Sequence, residues 1–214
     1  MSSQDYQDYR REYEAPGLRR ENLALDPWTQ FEGWMGEAEV ACPRDATSMA
    51  LATVSASGMP SVRMVLMKSY DGNGLVWYSD KRSQKGCDID KNPNASVLFY
   101  WQALERQVRI SGSVCFVSEA TSDAYFSSRP RGSQLSAAAT AQSQVVAGLA
   151  NLESNVAKLQ EQASDGSLER PSPWVGFCLV PTKFEFWQGQ PSRLHDRFRY
   201  QQTDAGWVID RLSP

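Results

Sequence analysis

The sequence predicts an α+β fold with a mainly antiparallel sheet and flanking helices. Three observations carry this. Short β-rich runs joined by turn residues fill the first half of the chain. Alanine-rich helical stretches fill the middle, and strands return at the C-terminal end. Strands first, helices between and strands last argue against a parallel α/β sheet. Short strands in hairpin series favour closure into a small barrel.

Residues 1–25 are polar, with arginine pairs at Arg10-Arg11 and Arg19-Arg20 and a break at Pro16-Gly17. They are expected to form a flexible arm or lid, and residues 26–214 a single domain. Asp26-Pro27 opens the first helix, an N-cap followed by proline at the first helical position. Phe31, Trp34, Met35 and Ala38 then recur at helical spacing. Strands are expected over 48–56 and 62–70, separated by the Ser57-Gly58 turn. Asp71-Gly72-Asn73-Gly74 is a strong hairpin signal. Further strands follow over 75–79, 95–101 and 106–117, with a short helix opened by Ser83 before the second of these. Residues 119–128 and 134–162 read as helices, and 163–173 as a polar loop. The last strands are expected over 175–180, 183–188, 193–200 and 207–212.

A chain of 214 residues suffices for one sizeable core. Its 22 basic and 25 acidic side chains leave a net charge of −3, so the overall basic footprint of a nucleic-acid binder is absent. No run approaches the roughly 18 apolar residues of a membrane span. The N-terminus is too polar for a secretory signal, so a cytoplasmic protein is expected. The four cysteines, Cys42, Cys87, Cys115 and Cys178, include no CxxC pair and are expected as free thiols. The single histidine, His195, excludes a multi-histidine metal site, and no metal is expected.

Four segments could carry chemistry. In Arg63-Met64-Val65-Leu66-Met67-Lys68, strand alternation puts Arg63 and Lys68 on opposite faces. Tyr78-Ser79 and Lys81-Arg82-Ser83-Gln84-Lys85 lead into a helix N-terminus, where free N–H groups suit a phosphate. Between Tyr125 and Gln134, tyrosine, two arginines and serines could wrap a second phosphate. From Phe184 to Arg197 an aromatic strand passes through a Gly/Pro turn into Arg-x-His-x-Arg, so Arg193, His195 and Arg197 are expected on one strand face. Each segment taken singly also reads as ordinary solvated charge. Their joint presence does not.

Together these segments resemble the pyridoxine (pyridoxamine) 5′-phosphate oxidase family. The most specific pieces are 63–68, Leu104-Glu105-Arg106-Gln107-Val108, Ser128-Arg129-Pro130-Arg131, and Glu185-Phe186-Trp187-Gln188-Gly189 with Arg193-Leu194-His195-Asp196-Arg197. The resemblance spans nearly the whole chain. It implies a split β-barrel of the FMN-binding type and a homodimer with FMN at the subunit interface. The implied reaction oxidises pyridoxine 5′-phosphate or pyridoxamine 5′-phosphate at C4′ by hydride transfer to FMN. Dioxygen then reoxidises the flavin and hydrogen peroxide is released. The implied FMN contacts are Arg63, Lys68, Tyr78, Ser79, Lys85, Gln107, Gln142, Ser143, Trp187 and Arg197. Those to the substrate phosphate are Lys68, Tyr125, Arg129 and Ser133. Arg193 and His195 match catalytic positions over the substrate ring, and Arg10 and Tyr13 match a lid. Two features depart from the family pattern. Gln84 stands where an arginine is expected, and residues 136–141 are unusually alanine-rich before Gln142-Ser143-Gln144. The competing readings are a split-barrel FMN reductase or oxidase with another substrate, and a non-catalytic flavin or pyridoxal-phosphate carrier.

Overall fold

The computed structural model describes residues 5–8, 12–163, 166 and 168–214. In chain order the elements are α1 (Pro27–Ala41), β1 (Ser48–Val54), β2 (Pro60–Leu66), β3 (Ser69–Asp71), β4 (Gly74–Asp80) and α2 (Gln84–Lys91). Next come β5 (Asn94–Trp101), β6 (Arg106–Phe116), α3 (Glu119–Ser128), α4 (Arg131–Ala139) and α5 (Leu149–Ala163). The chain closes with β7 (Trp174–Gln188), β8 (Asp196–Thr203) and β9 (Gly206–Leu212). The sheet runs β2-β1-β5-β6-β7-β4-β3, with β8 pairing β7 and β9 pairing β8. The chain divides into two compact units: residues 1–47, 98–110 and 182–214, and residues 48–97 and 111–181.

In the first unit, Asp26 caps α1 by accepting the Thr29 N–H, with Pro27 behind it. The helix buries Phe31, Trp34, Met35 and Ala38, as the spacing predicts. Phe31 packs on Phe99 at 5.3 Å, and Trp34 meets Phe186 edge-on at 5.3 Å. Each such side chain contributes about 1.5–3 kcal/mol on burial. The segment before α1 is tied to this core. Leu18 and Leu23 are buried, and the Leu18 N–H donates to the Asp196 carboxylate at 2.9 Å.

In the second unit, β1 alternates strictly and turns Met49 and Leu51 inward. Trp77 of β4 lies opposite Phe177 of β7, their rings parallel at 5.6 Å. Ser83 caps α2 and Ser118 caps α3.

Four expectations are corrected. The strand expected over 62–70 stops at Leu66 and resumes as β3. Its partner β1 runs out at Ser48, opposite Leu66, and the chain then pairs with β4, Ser69 facing Val76. Lys68 lies in the break, its N–H donating to Val76 O, so the opposite-face relation with Arg63 does not hold. The helix expected over 134–162 is two helices, because Thr140 is extended and Ser143 takes a positive φ of 70°. Pro181 does not divide β7. It sits where pairing on one side of β7 passes from β4, ending at Leu179, to β8, starting at Lys183, a break in the ladder where a missing N–H is tolerated. Finally, β8 begins at Asp196, not Arg193. Pro191–Arg193 form a 3-10 turn in which Ser192 and Arg193 take positive φ. Arg193 and His195 therefore belong to the turn and share no strand face with Arg197.

All four cysteines are free thiols. Among the described residues no cluster could hold a metal, and no helix is long and apolar enough to cross a membrane.

Candidate active site

The second unit holds two adjoining cavities. The larger, about 620 Å³, is lined by residues 61–66 with Lys68, Tyr78, Ser79, Gln84, Lys85, Gln142 and Ser143. Its polar end is built on the first turn of α2. Lys85 is buried, and its Nζ donates to Ser79 Oγ at 3.0 Å, Ser83 Oγ at 3.2 Å and Gln142 Oε1 at 2.8 Å. These acceptors are all neutral. Burial, aided by nearby Arg63, lowers the Lys85 pKa to about 8. Gly86 lets the helix close on Lys81, whose carbonyl would collide with any Cβ there.

Arg63 reaches the same cavity from β2. Its NH1 donates to Thr53 Oγ1 at 2.7 Å and to Leu51 O at 3.1 Å, and its NH2 donates to Ser61 Oγ at 2.7 Å. Thr53 in turn donates to Asp88 at 2.7 Å, which also accepts from Gln84 Nε2 at 2.8 Å. Burial works against the Arg63 charge, and Asp88, 3.9 Å away, offsets part of this. A buried ammonium with only neutral partners beside a guanidinium is a donor set suited to a phosphate. The residues fit the phosphate end of FMN on that ground.

The smaller cavity, about 300 Å³, shares Lys68, Tyr78, Ser79 and Gln142 with the larger one, and adds Asp80, Tyr125, Arg129, Ser136, Ala137, Thr140 and Trp174. Tyr78 stacks on Tyr125 at 4.0 Å and on Trp174 at 5.3 Å. The Arg129 guanidinium lies 4.7 Å from the Trp174 ring centre. Its NH1 is buried and makes no hydrogen bond. Such a group costs about 1–3 kcal/mol unless something accepts from it. An anion in this cavity would be that acceptor. Burial raises the Tyr78 and Tyr125 pKa values, so both phenols remain donors near neutral pH.

The first unit holds the aromatic group around His195. Tyr13 meets Trp187 edge-on at 5.6 Å and His195 edge-on at 5.2 Å, and Trp187 lies 4.7 Å from His195. Tyr13 lies over Gly189, where a Cβ would strike its ring. The Glu105 carboxylate anchors this segment by accepting the N–H groups of Glu14 and Ala15 at 2.9 and 3.0 Å. The Gln190 N–H donates to His195 Nδ1 at 3.1 Å. That requires a neutral ring with its proton on Nε2. Burial and the adjacent Arg193 push the His195 pKa down, in agreement. The Arg197 Nε and NH2 both bond Glu185, at 2.9 and 2.8 Å, and NH1 bonds Ser213 O at 2.8 Å.

The structure thus brings Arg63, Lys68, Tyr78, Ser79, Lys85, Gln142 and Ser143 to one cavity, and Lys68, Tyr125 and Arg129 to its neighbour. Ser133 sits in the first turn of α4 and does not line the smaller cavity. Gln107 lies on β6 in the first unit. Arg10 lies outside the described residues. The sequence reading missed Trp174, Asp88, Thr53 and Glu105. Asp88 carries a local signal, an acid four residues after Gln84 and so on the same helix face. Trp174 carries none, since its role comes from β7 pairing with β4.

Residues 35–163 match the family model described as pyridoxamine 5′-phosphate oxidase. Residues 174–214 match the model of the pyridoxine 5′-phosphate oxidase C-terminal dimerisation region. The pyridoxine/pyridoxamine 5′-phosphate oxidase 1 of Hydrogenovibrio crunogenus is 49% identical, with both chains covered completely. The corresponding oxidase of Bordetella pertussis is 49% identical over 97% of this chain and 98% of its own. Among solved structures, PhzG from Burkholderia lata, bound to tetrahydrophenazine-1-carboxylic acid, superposes with a TM-score of 0.87 at 29% identity. It covers 94% of this chain and 99% of that one. A pyridoxamine 5′-phosphate oxidase-related, FMN-binding protein of Nostoc punctiforme shares the fold, with a TM-score of 0.71 at 19% identity over 90% of this chain and all of that one. The α+β, antiparallel split-barrel class expected from the sequence is therefore the observed one, and the chain belongs to the pyridoxine/pyridoxamine 5′-phosphate oxidase family of FMN-dependent oxidoreductases.

Proposed function

We propose that this chain binds FMN and oxidises pyridoxine 5′-phosphate and pyridoxamine 5′-phosphate with dioxygen, giving pyridoxal 5′-phosphate and hydrogen peroxide. The observation that carries the reading is the pair of adjoining cavities, each with its own cationic donor set. Lys85 and Arg63 suit the phosphate of the cofactor, and Arg129 with Tyr125 and Lys68 suits that of the substrate. FMN, when bound, supplies the hydride acceptor and the centre that reacts with dioxygen.

The side chains do the rest. Arg129 NH1 takes a phosphate oxygen as its missing acceptor, and the Tyr125 hydroxyl donates beside it. Lys68 lines both cavities and adds a charge between the two ligands. Anchoring the substrate by its phosphate fixes its ring, so positioning supplies much of the rate gain. Gln107, Trp187 and Arg197 are assigned to the flavin, and Tyr13, Arg193 and His195 to the substrate, on family resemblance. Neutral His195 can donate from Nε2 and orient the group at C4′. We further propose that residues 1–25 act as a lid on the remaining single domain, and that the protein works as a homodimer, which the match to a dimerisation-region model supports.

The test is anaerobic. Flavin-loaded protein is mixed with pyridoxine 5′-phosphate, and the yellow flavin absorbance is followed. Bleaching with the phosphate ester but not with free pyridoxine supports the reading. Bleaching only with an unphosphorylated ring compound favours an oxidase of another substrate. No bleaching with any of these favours a carrier.

A further inference from the structure

Two cysteines that the proposed reaction does not use face each other across neighbouring strands. β6 and β7 are adjacent in the sheet. The Val117 N–H donates to Gly176 O at 3.0 Å, and the Phe116 and Phe177 rings meet at 5.2 Å. The partners thus run in opposite directions, and one further step places Cys115 opposite Cys178. Opposed residues of an antiparallel pair project from the same face of the sheet. Cys115 is near enough to help hold the Cys178 thiol in its protonated form. Cys115 is exposed and Cys178 is partly buried.

We propose that Cys115 and Cys178 form a reversible intramolecular disulfide between β6 and β7, with hydrogen peroxide as the oxidant. Opposed antiparallel residues have Cα atoms about 4.5–5.5 Å apart. A disulfide spans Cα separations of about 4.4–6.8 Å, so the Cα spacing is within its reach. The Cβ atoms of such pairs lie about 4.5–5.5 Å apart, whereas a disulfide needs about 3.5–4.5 Å. The strands must close slightly, which gives a strained and easily reduced bond, the kind that cycles.

The order of steps follows from exposure. Cys178 is held protonated, its pKa raised to about 11 by burial and by Cys115, so Cys115 meets the oxidant first. The Cys115 thiolate attacks one peroxide oxygen and the O–O bond breaks. This gives a sulfenic acid and hydroxide, which leaves as water. Cys178 loses its proton as its sulfur attacks the sulfenic sulfur. The S–S bond forms, the S–OH bond breaks, and a second water leaves. Two thiols are oxidised by two electrons and one peroxide is reduced. The reaction proposed above would release this oxidant, but the cysteine pair does not depend on that reading.

The test uses the full chain, reduced and then treated with a small excess of hydrogen peroxide. Samples are alkylated after unfolding, weighed intact and mapped as peptides. The expected result is a fall from four to two alkylatable thiols per chain, a loss of two hydrogens, and a link between the β6 and β7 peptides that dithiothreitol reverses. Cys42 and Cys87 remain as internal controls. Cys178→Ser is expected to leave a trappable sulfenic acid on Cys115, and Cys115→Ser to spare Cys178. The proposal is overturned if Cys115 gains oxygen while Cys178 stays alkylatable in the native sequence. A link to Cys42, to Cys87 or between two chains overturns it equally.

Discussion

Replacing Lys85 by methionine is predicted to stabilise the flavin-free chain while weakening flavin binding. The folded Lys85 pKa is about 8, against an ordinary value of 10.5. At about 1.4 kcal/mol per pH unit, that gap amounts to about 3 kcal/mol. The sign follows from proton counts. Between pH 8 and 10.5 the unfolded chain binds more protons at this position, so stability rises with pH through that window. The contribution is fully favourable above 10.5 and is lost as pH falls through 8, so near neutral pH the buried charge destabilises the fold. Methionine removes that charge and keeps the apolar stem. It forfeits the bonds to Ser79, Ser83 and Gln142, although Ser79 still bonds Gln142 at 2.8 Å. Allowing about 1 kcal/mol for that loss leaves a net gain of about 2 kcal/mol, or about 4–8 °C in Tm for a chain of this size. Losing a charged bond to phosphate costs about 1.5–3 kcal/mol, so the flavin Kd rises about 10- to 150-fold. Thermal unfolding of the flavin-free protein at pH 7 and above pH 10.5, with fluorescence titration of FMN, measures both quantities. A Lys85→Met chain that is less stable by the same amount at both pH values would refute the argument.

Three further outcomes are expected. Gln84→Arg should tighten FMN binding about tenfold or more, since a guanidinium replaces a neutral amide in the same cavity; an unchanged Kd would show that the new arginine is spent on Asp88. Arg129→Ala should raise KM for the phosphorylated substrate at least tenfold and leave the FMN Kd unchanged; a parallel loss of flavin would place Arg129 on the wrong phosphate. His195→Asn should keep measurable turnover, while Arg193→Ala should lose more in kcat/KM, because the His195 ring is neutral with Nδ1 already occupied by the Gln190 N–H. With the His195 pKa below its ordinary value, turnover should show no inflection from this residue above pH 7.

Much of the fold is legible because its signals are local. Asp26-Pro27 marks α1, Ser83 marks α2, and Asp71-Gly72-Asn73-Gly74 closes the β3–β4 hairpin where the turn residues stand. The misread places are those where a strand changes partner or a tertiary contact overrides propensity. Nothing between Val62 and Tyr70 announces that β1 ends opposite Leu66. The alanine-rich stretch looks continuous, yet Gln142 is drawn out of helix by Ser79 and Lys85. The turn before β8 is longer than alternation suggests, which moves Arg193 and His195 off the strand. Within the site, the cations and two of the neutral partners of Lys85, Ser79 and Gln142, were visible, whereas Asp88, Thr53 and Trp174 were not. Arg63 and Lys85 stand out in the sequence, whereas the roles of Thr53 and Trp174 exist only through packing.

The central claim is tested most directly by measuring oxygen uptake, peroxide release and pyridoxal 5′-phosphate formation together, with flavin-loaded protein and pyridoxine 5′-phosphate. The account predicts equal molar amounts of all three, with free pyridoxine a poor substrate and Arg129→Ala impaired. A yellow protein that consumes no oxygen, or one that oxidises pyridoxine as efficiently as its phosphate, would contradict it.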